Sequence, residues 1–240
     1  MKRTLGVALL VLSSAGPSVA AEQRGFKKPY FGATEVGTFA RHKATDEKGA
    51  VSEYTYARLA DVAGERVLEM RYRVLSGQFK DSQSMTACLV PAAFPLADDA
   101  IDFQIHARRC VAGTDGKTRP TEYPAATMKA ISEGMNDYKA LVTFKGTETV
   151  DGRQADRYGY TYKGNFMNIP ATTTGDLWLS EGVPFGLVKE VMVTRDAAGK
   201  QLTRIETVLS EKGTGAQTAL PLWSWEPAAK KPAAPARKPR

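Results

Sequence analysis

The side chains that could do chemistry in this 240-residue chain are few: two histidines, His42 and His106, and two cysteines, Cys88 and Cys110. General acid–base catalysis wants a histidine within reach of a nucleophile or substrate, and a structural zinc site wants four ligands at set spacings. Neither arrangement is present. Both histidines fall in segments with strand-like alternation and read as surface or core residues, not catalysts. No CxxC spacing and no adjacent base marks either cysteine as a catalytic thiol. Asp98-Asp99 and Asp102 lack the alternation of a calcium loop and read as a solvated acidic turn. Arg108-Arg109 reads as a polar strand edge. The chain has no GxSxG, HExxH, P-loop or dinucleotide-binding motif. The expectation is a protein that is not an enzyme, with no cofactor and no metal.

The N-terminus carries an address. Lys2 and Arg3 precede the apolar run Leu5–Leu12, and Ser18-Val19-Ala20 supplies the small residues a signal peptidase reads. Residues 1–21 are therefore expected to be a cleaved signal peptide, which places the mature protein in the periplasm or outside the cell. In that compartment thiols oxidise, so Cys88 and Cys110 are read as a disulfide. It would close a loop containing Pro91, Pro95 and Asp98-Asp99, stabilising by roughly 3 kcal/mol. No other apolar run is long enough to span a membrane.

Charge separates the body from its ends. The formal net charge is +7. Two of the basic residues leave with the leader, and five more, Lys230, Lys231, Arg237, Lys238 and Arg240, lie in the last 14 residues. The body from Glu22 to Glu226 balances to zero, so the high isoelectric point is no nucleic-acid footprint. The tail, 227–240, contains only Pro, Ala, Lys and Arg. Such a composition favours an extended, disordered segment. It reads either as a solubilising end or as a weak adhesive for anionic envelope surfaces.

Between these ends the chain alternates like strands. In Glu65–Leu75, Leu68, Met70, Tyr72 and Val74 share one face, and Val67, Glu69, Arg71 and Arg73 share the other. Lys139–Val150 puts Ala140, Val142 and Phe144 together, Asp151-Gly152 supplies a tight turn, and Arg153–Lys163 returns with Tyr158, Tyr160 and Tyr162 on one face. Thr174–Glu181, Gly186–Thr194 and Lys200–Glu211 continue the series, with turns at Gly182–Pro184 and Ala197–Gly199. Upstream, Glu35–Thr45 and Ala50–Asp61 form a further pair, turning near Lys48-Gly49. Gln83–Val90 and Ile101–Cys110 are shorter strands. A helix is expected from Pro124 to about Met135, with Met128, Ile131 and Met135 on one side. It reads either as a cover packed on the sheet or as a movable lid. Trp223 and Trp225 alternate like a last strand, closing the core or sitting at an apolar-to-water boundary.

These elements make a mainly β fold: a curved antiparallel meander, or unclosed barrel, of about nine to ten strands with one or two short helices. An N-terminal arm (22–31) and the tail flank a single domain (32–226).

Within this series, ETVDGRQADRYGYTYKG (148–164) and GDLWLSEGVPFGLVKEVMVT (175–194) resemble the C-terminal half of the periplasmic lipoprotein-carrier-like superfamily, the Lol-type curved half-barrels. The resemblance lies in a tight turn, a tyrosine-rich strand, then W-L-S, G-V-P and V-K-E, over about Asp151–Glu190. It implies a half-barrel fold and a soluble carrier. The functional expectation is an exported binding protein that holds a lipid, a lipoprotein acyl chain or another apolar ligand on a concave sheet face. Candidate lining residues are Leu68, Met70 and Tyr72 on one strand, Val142, Phe144, Tyr158 and Tyr160 on the hairpin, and Trp178 beyond it. The alternative is an envelope interaction or structural module with no small ligand.

Overall fold

Asp151 and Gly152 both adopt positive φ, 49° and 73°. This is the mirror-image turn whose twist matches that of the strands it joins. It links β7 (Thr143–Val150) to β8 (Arg153–Phe166), as the sequence predicts. In a computed structural model the described residues are 25–27, 30, 34–91, 107–114, 117–131, 142–220 and 225. The expected signal peptide, the tail, His106, Asp98, Asp99, Asp102 and Trp223 all lie outside them.

Among the described residues the sheet has eleven antiparallel strands in the order β6-β5-β4-β3-β2-β1-β11-β10-β9-β8-β7. The N-terminal strands are β1 (Phe39–Asp46), β2 (Val51–Val62), β3 (Glu65–Val74), β4 (Gln83–Pro91), β5 (Arg109–Gly113) and β6 (Thr121–Glu122). After β7 and β8 come β9 (Ile169–Leu179), β10 (Leu187–Asp196) and β11 (Gln201–Gly213). The sheet is thus two meanders, β1–β6 and β7–β11, joined where the first strand pairs with the last. Consecutive strands β6 and β7 stand at opposite edges, and the sheet stays unclosed.

Several boundaries differ from the expected ones. The strand expected over Ile101–Cys110 begins at Arg109 among the described residues, and the one expected from Lys139 begins at Thr143. The expected start at Thr174 moves back to Ile169, because β8 and β9 run on past their neighbours to a turn at Met167-Asn168. Both turn residues have positive φ, 49° and 67°. Asparagine tolerates that conformation and methionine does not advertise it. The helix, α1, covers 125–131 among the described residues, its expected end near Met135 lying outside them, with Met128 and Tyr123 packed on the sheet. Trp225 lies outside the strands, packed against the cluster of Met85, Ala87, Val111 and Leu220.

Residues directly opposite on neighbouring strands share a face. The ladder Ala44–Ser52–Val74 and its neighbour His42–Tyr54–Tyr72 therefore belong to the face that carries Met70 and Leu68. Across the β1–β11 seam, Ala44 meets Thr207, then Glu190, Leu177 and Tyr158. We call this the inner face. The outer face holds Val67, Glu69, Arg71 and Arg73 on β3.

Alternation predicts that the outer side of β3 is polar and open. Instead Val67 and Glu69 are buried, because the C-terminal segment crosses over them. The Glu69 carboxylate accepts from Thr218 Oγ1 at 2.7 Å, from the Ala219 amide at 3.0 Å and from Arg71 Nε at 2.7 Å. A buried carboxylate is stable only with such donors around it. Leu220 then inserts beside Met85, Ala87 and Val111.

Cys88 and Cys110 face each other across β4 and β5 and form the expected disulfide, with Cα atoms 4.1 Å apart. The bond sits fully buried beside Leu68 and Val90 on the inner side.

Candidate functional site

Three parts of the chain cover much of the inner face. Helix α1 contributes Met128 over the cluster that includes Leu68, Cys88 and Cys110. The β9–β10 connection places Phe185 against Tyr56, ring centroids 5.8 Å apart. The N-terminal arm lays Phe26 and Tyr30 over β8 and its neighbours. Gly186 permits that approach: its φ is +79°, and a Cβ there would come within 2.5 Å of the Tyr30 Cβ.

The candidate residues Val142, Phe144, Tyr158 and Tyr160 fall under this arm. Val142, Tyr158 and Tyr160 are buried with Tyr30, Leu177, Leu179 and Leu187, and Phe26 and Phe144 pack at the margin. The Tyr30 hydroxyl lies 2.6 Å from Asp156 Oδ2, to which it donates, and 2.6 Å from the Tyr158 hydroxyl. The Lys27 amide donates to Tyr158, and Thr147 Oγ1 donates to Asp156 Oδ1. Burial pushes the Tyr30 phenol far above its usual range, and the Asp156 hydrogen bond adds to this. Here the apolar face that the sequence offers for a ligand is occupied by the protein itself. Tyr162, on the same side of β8, is 38% exposed because it stands farther along the ribbon, past the arm.

Trp178 points the other way. It stands opposite Arg157 and Lys189, whereas Tyr158 stands opposite Leu177. Its ring lies between those two cations, 5.2 Å from the guanidinium and 5.6 Å from the ammonium, and its indole N–H donates to Glu148. It does not share a surface with Tyr158 and Tyr160. Leu68 is fully buried in the core and Met70 packs beside it.

Of the sequence candidates, Tyr72 reaches an open site. The inner face beyond the three covers forms a groove of about 920 Å3 at the end of the sheet that carries the β1–β2 and β3–β4 turns. Its floor is Ala44, Tyr54, Tyr72, Val74 and Ile205, and Phe79, 67% exposed, stands at the rim. Tyr54 and Tyr72 lie with ring centroids 4.9 Å apart. Ser52, Ser76, Ser82 and Thr203 line it as well, and Ser52 Oγ is 3.1 Å from the Tyr72 hydroxyl. Sequence reasoning missed Tyr54, Phe79 and Ile205. Alternation in Ala50–Asp61 does place Tyr54 and Tyr56 on one face, and that was the available signal. Phe79 sits in a turn and carries no periodic mark.

Beside the groove, Tyr160 donates to Glu190 Oε1 at 2.6 Å. Tyr160 also lies over Gly175, where a Cβ would come within 2.4 Å of its ring. Burial raises the Glu190 carboxyl above the usual carboxylate range, and the Tyr160 hydrogen bond pulls the other way. Burial pushes the Tyr54 phenol up to about 12, with Tyr72 and Glu190 adding to the shift.

His42 is fully buried between these regions. Its Nε2 lies 2.9 Å from the Leu187 carbonyl, so Nε2 carries the proton and donates. Nδ1 has no hydrogen-bond partner among the described residues. Burial lowers its pKa below the ordinary histidine value, with the Leu187 carbonyl acting in the opposite sense. Among the described residues no group of three or more His, Cys, Asp or Glu side chains is placed to hold a metal. No helix among them is long and apolar enough to cross a membrane.

No protein-family model matches the chain, and no curated protein matches its sequence. Loosely similar solved structures include a Bacteroides fragilis protein described as exported with a YmcC-like fold. It is 13% identical, with a TM-score of 0.39, covering 79% of this chain and 100% of that one. The Pseudomonas aeruginosa MucA/MucB complex gives 14% identity and a TM-score of 0.37, covering 82% of this chain and 58% of that one. LprF from Mycobacterium bovis gives 13% and 0.31, covering 75% and 86%. At these scores the chain is similar to them only in outline, and nothing about its site is inherited from them.

Proposed function

We propose that this is an exported binding protein, not a catalyst, that holds an apolar or amphiphilic ligand in the groove over Tyr54 and Tyr72. The observation that carries the reading is the groove itself. Its volume of about 920 Å3 lies within the range of small-molecule sites, and its floor is aromatic and aliphatic. Moving apolar ligand surface onto such a floor gains about 25 cal/mol per Å2. The lipid expected from the sequence keeps its place in this reading, but its seat moves from Tyr158 and Tyr160 to Tyr54, Tyr72, Val74 and Ile205. Export rests on the leader in residues 1–21.

Native mass spectrometry of protein released gently from the periplasm tests the reading, together with uptake of a fluorescent apolar dye. A co-purifying mass, or dye binding that Tyr72→Ala weakens, supports it. Folded protein that carries no adduct and takes up no dye overturns it.

A second reading, an interaction module of the envelope, draws on the β8–β9 hairpin tip. Met167 is 81% exposed there and Ile169 47%. Exposed apolar side chains on a protruding ribbon suit contact with another surface.

A further inference from the structure

The groove's polar groups are chiefly hydroxyls. Ser52, Ser76, Ser82 and Thr203 line it beside the two tyrosines. The Tyr54 hydroxyl makes no hydrogen bond to the described residues, whereas Tyr72 is matched by Ser52. The charges at the site are Asp46, at the end of β1, and Lys48, in the turn to β2, one of each sign. Asp46 Oδ1 is engaged there by the amides of Lys48 and Ala50.

Alternation sends four cations of the flanking strands away. Lys43, Arg73, Lys189 and Arg204 all belong to the outer-face ladders. Lys189 bonds Glu206 at 2.8 Å, and Arg204 bonds the same carboxylate at 3.2 Å. The Glu190 carboxyl, on the same ladder as Ala44, adds to the upward shift of the Tyr54 phenol. An anionic head brought to the floor of this groove would lose water and find no lining cation other than Lys48 in the turn. Uncompensated burial of a charge is far more costly than burial of a hydrogen-bonded neutral group.

We propose that the groove selects an acyl amphiphile with an uncharged, hydrogen-bonding head, an ester or hydroxyl, seated at Tyr54 and discriminates against a free carboxylate. This rests on the binding reading above and names the ligand chemistry of the same groove. The aliphatic part lies over Tyr72, Val74 and Ile205, and the head pairs with the Tyr54 hydroxyl that no described residue matches. Selectivity of this kind arises because the floor offers a hydrogen bond to either head but no cation to offset the desolvation of a charged one.

The test is calorimetric titration of the full chain with a monoacylglycerol and with the fatty-acid anion of the same chain length, both below their micellar concentrations. The expected result is tighter binding of the monoacylglycerol by about tenfold or more. Tyr54→Phe should weaken monoacylglycerol binding, Ile205→Lys, which puts a cation on the floor, should bring the two affinities together, and thermal unfolding confirms that both variants are folded. Lys48→Ala should leave the preference in place. Equal or tighter binding of the carboxylate overturns the head-group inference while leaving the binding reading intact. If neither amphiphile binds folded protein, the binding reading fails and this inference with it.

Discussion

Two stretches of the inner face are built from the same kinds of residue and end differently. On β8, Tyr158 and Tyr160 are buried beneath the N-terminal arm, with the Tyr158 hydroxyl bonded to Tyr30. On β2 and β3, Tyr54 and Tyr72 form the floor of a groove. Strand patterning brings aromatic side chains to the same face in both places. What crosses above them differs: Phe26 and Tyr30 in one, none of the described residues in the other. An alternating strand thus reports which side chains face inward, and remote segments settle whether that surface becomes core or site.

The contrast predicts that substitutions on the covered stretch damage stability, while those in the groove damage binding. The largest effect is expected for Tyr30→Ala. It removes a buried ring and the hydrogen bonds of its hydroxyl to Asp156 and Tyr158, so urea unfolding should show a loss of about 3–5 kcal/mol. A loss under about 1 kcal/mol would mean that the arm does not hold the face closed.

Reduction of Cys88–Cys110, or a Cys88→Ser/Cys110→Ser double variant, should cost about 3 kcal/mol through lost loop entropy over a separation of 22 residues. Two free thiols in exported protein would remove the basis of that expectation. Leu220→Ala should cost about 2 kcal/mol or more, since Leu220 is buried against β4 and β5.

Groove substitutions lie lower on this scale. Tyr72→Ala is expected to cost about 1 kcal/mol in thermal unfolding while abolishing ligand uptake. Stability loss equal to that of Tyr30→Ala would make the groove ordinary core and erase the contrast.

His42 supplies a pH signature between the two stretches. Its folded pKa lies below the ordinary value, so the unfolded chain takes up the proton first as pH falls. Its contribution is fully present above about pH 6.5 and is lost progressively below it. His42→Gln should flatten that part of the stability–pH curve measured by urea unfolding. An unchanged slope would assign the acid sensitivity to other groups. The smallest effect is expected for deletion of 227–240, within about 0.5 kcal/mol. That deletion should weaken salt-sensitive attachment to anionic vesicles.

Much of the sheet was legible because its strands alternate. β3 and the β7–β8 hairpin carry clean period-two patterns, and Asp151-Gly152 marks its turn by chemistry. The cysteine pair was legible from compartment and spacing. The face of Trp178 was not. Leu177, Trp178 and Leu179 are all apolar, so the run has no alternation to read, and only the pairing of Arg157 with Trp178 decides it. The turn at Met167-Asn168 was missed because methionine gives no sign of a positive φ. The polar side of β3 was expected to meet water, and it meets the C-terminal segment because Glu69 bonds Thr218 and Ala219, some 150 residues away along the chain.

By itself the sequence determined the strand content, the principal turns, the disulfide pair and which side chains alternate together, since these depend on neighbours within a few residues. Only the tertiary structure decided that β1 pairs with β11, that Phe26 and Tyr30 fill the surface over Tyr158, and that Tyr54 and Tyr72 stay open. Those outcomes join segments more than 100 residues apart, and local periodicity carries no term for the contacts that such segments make.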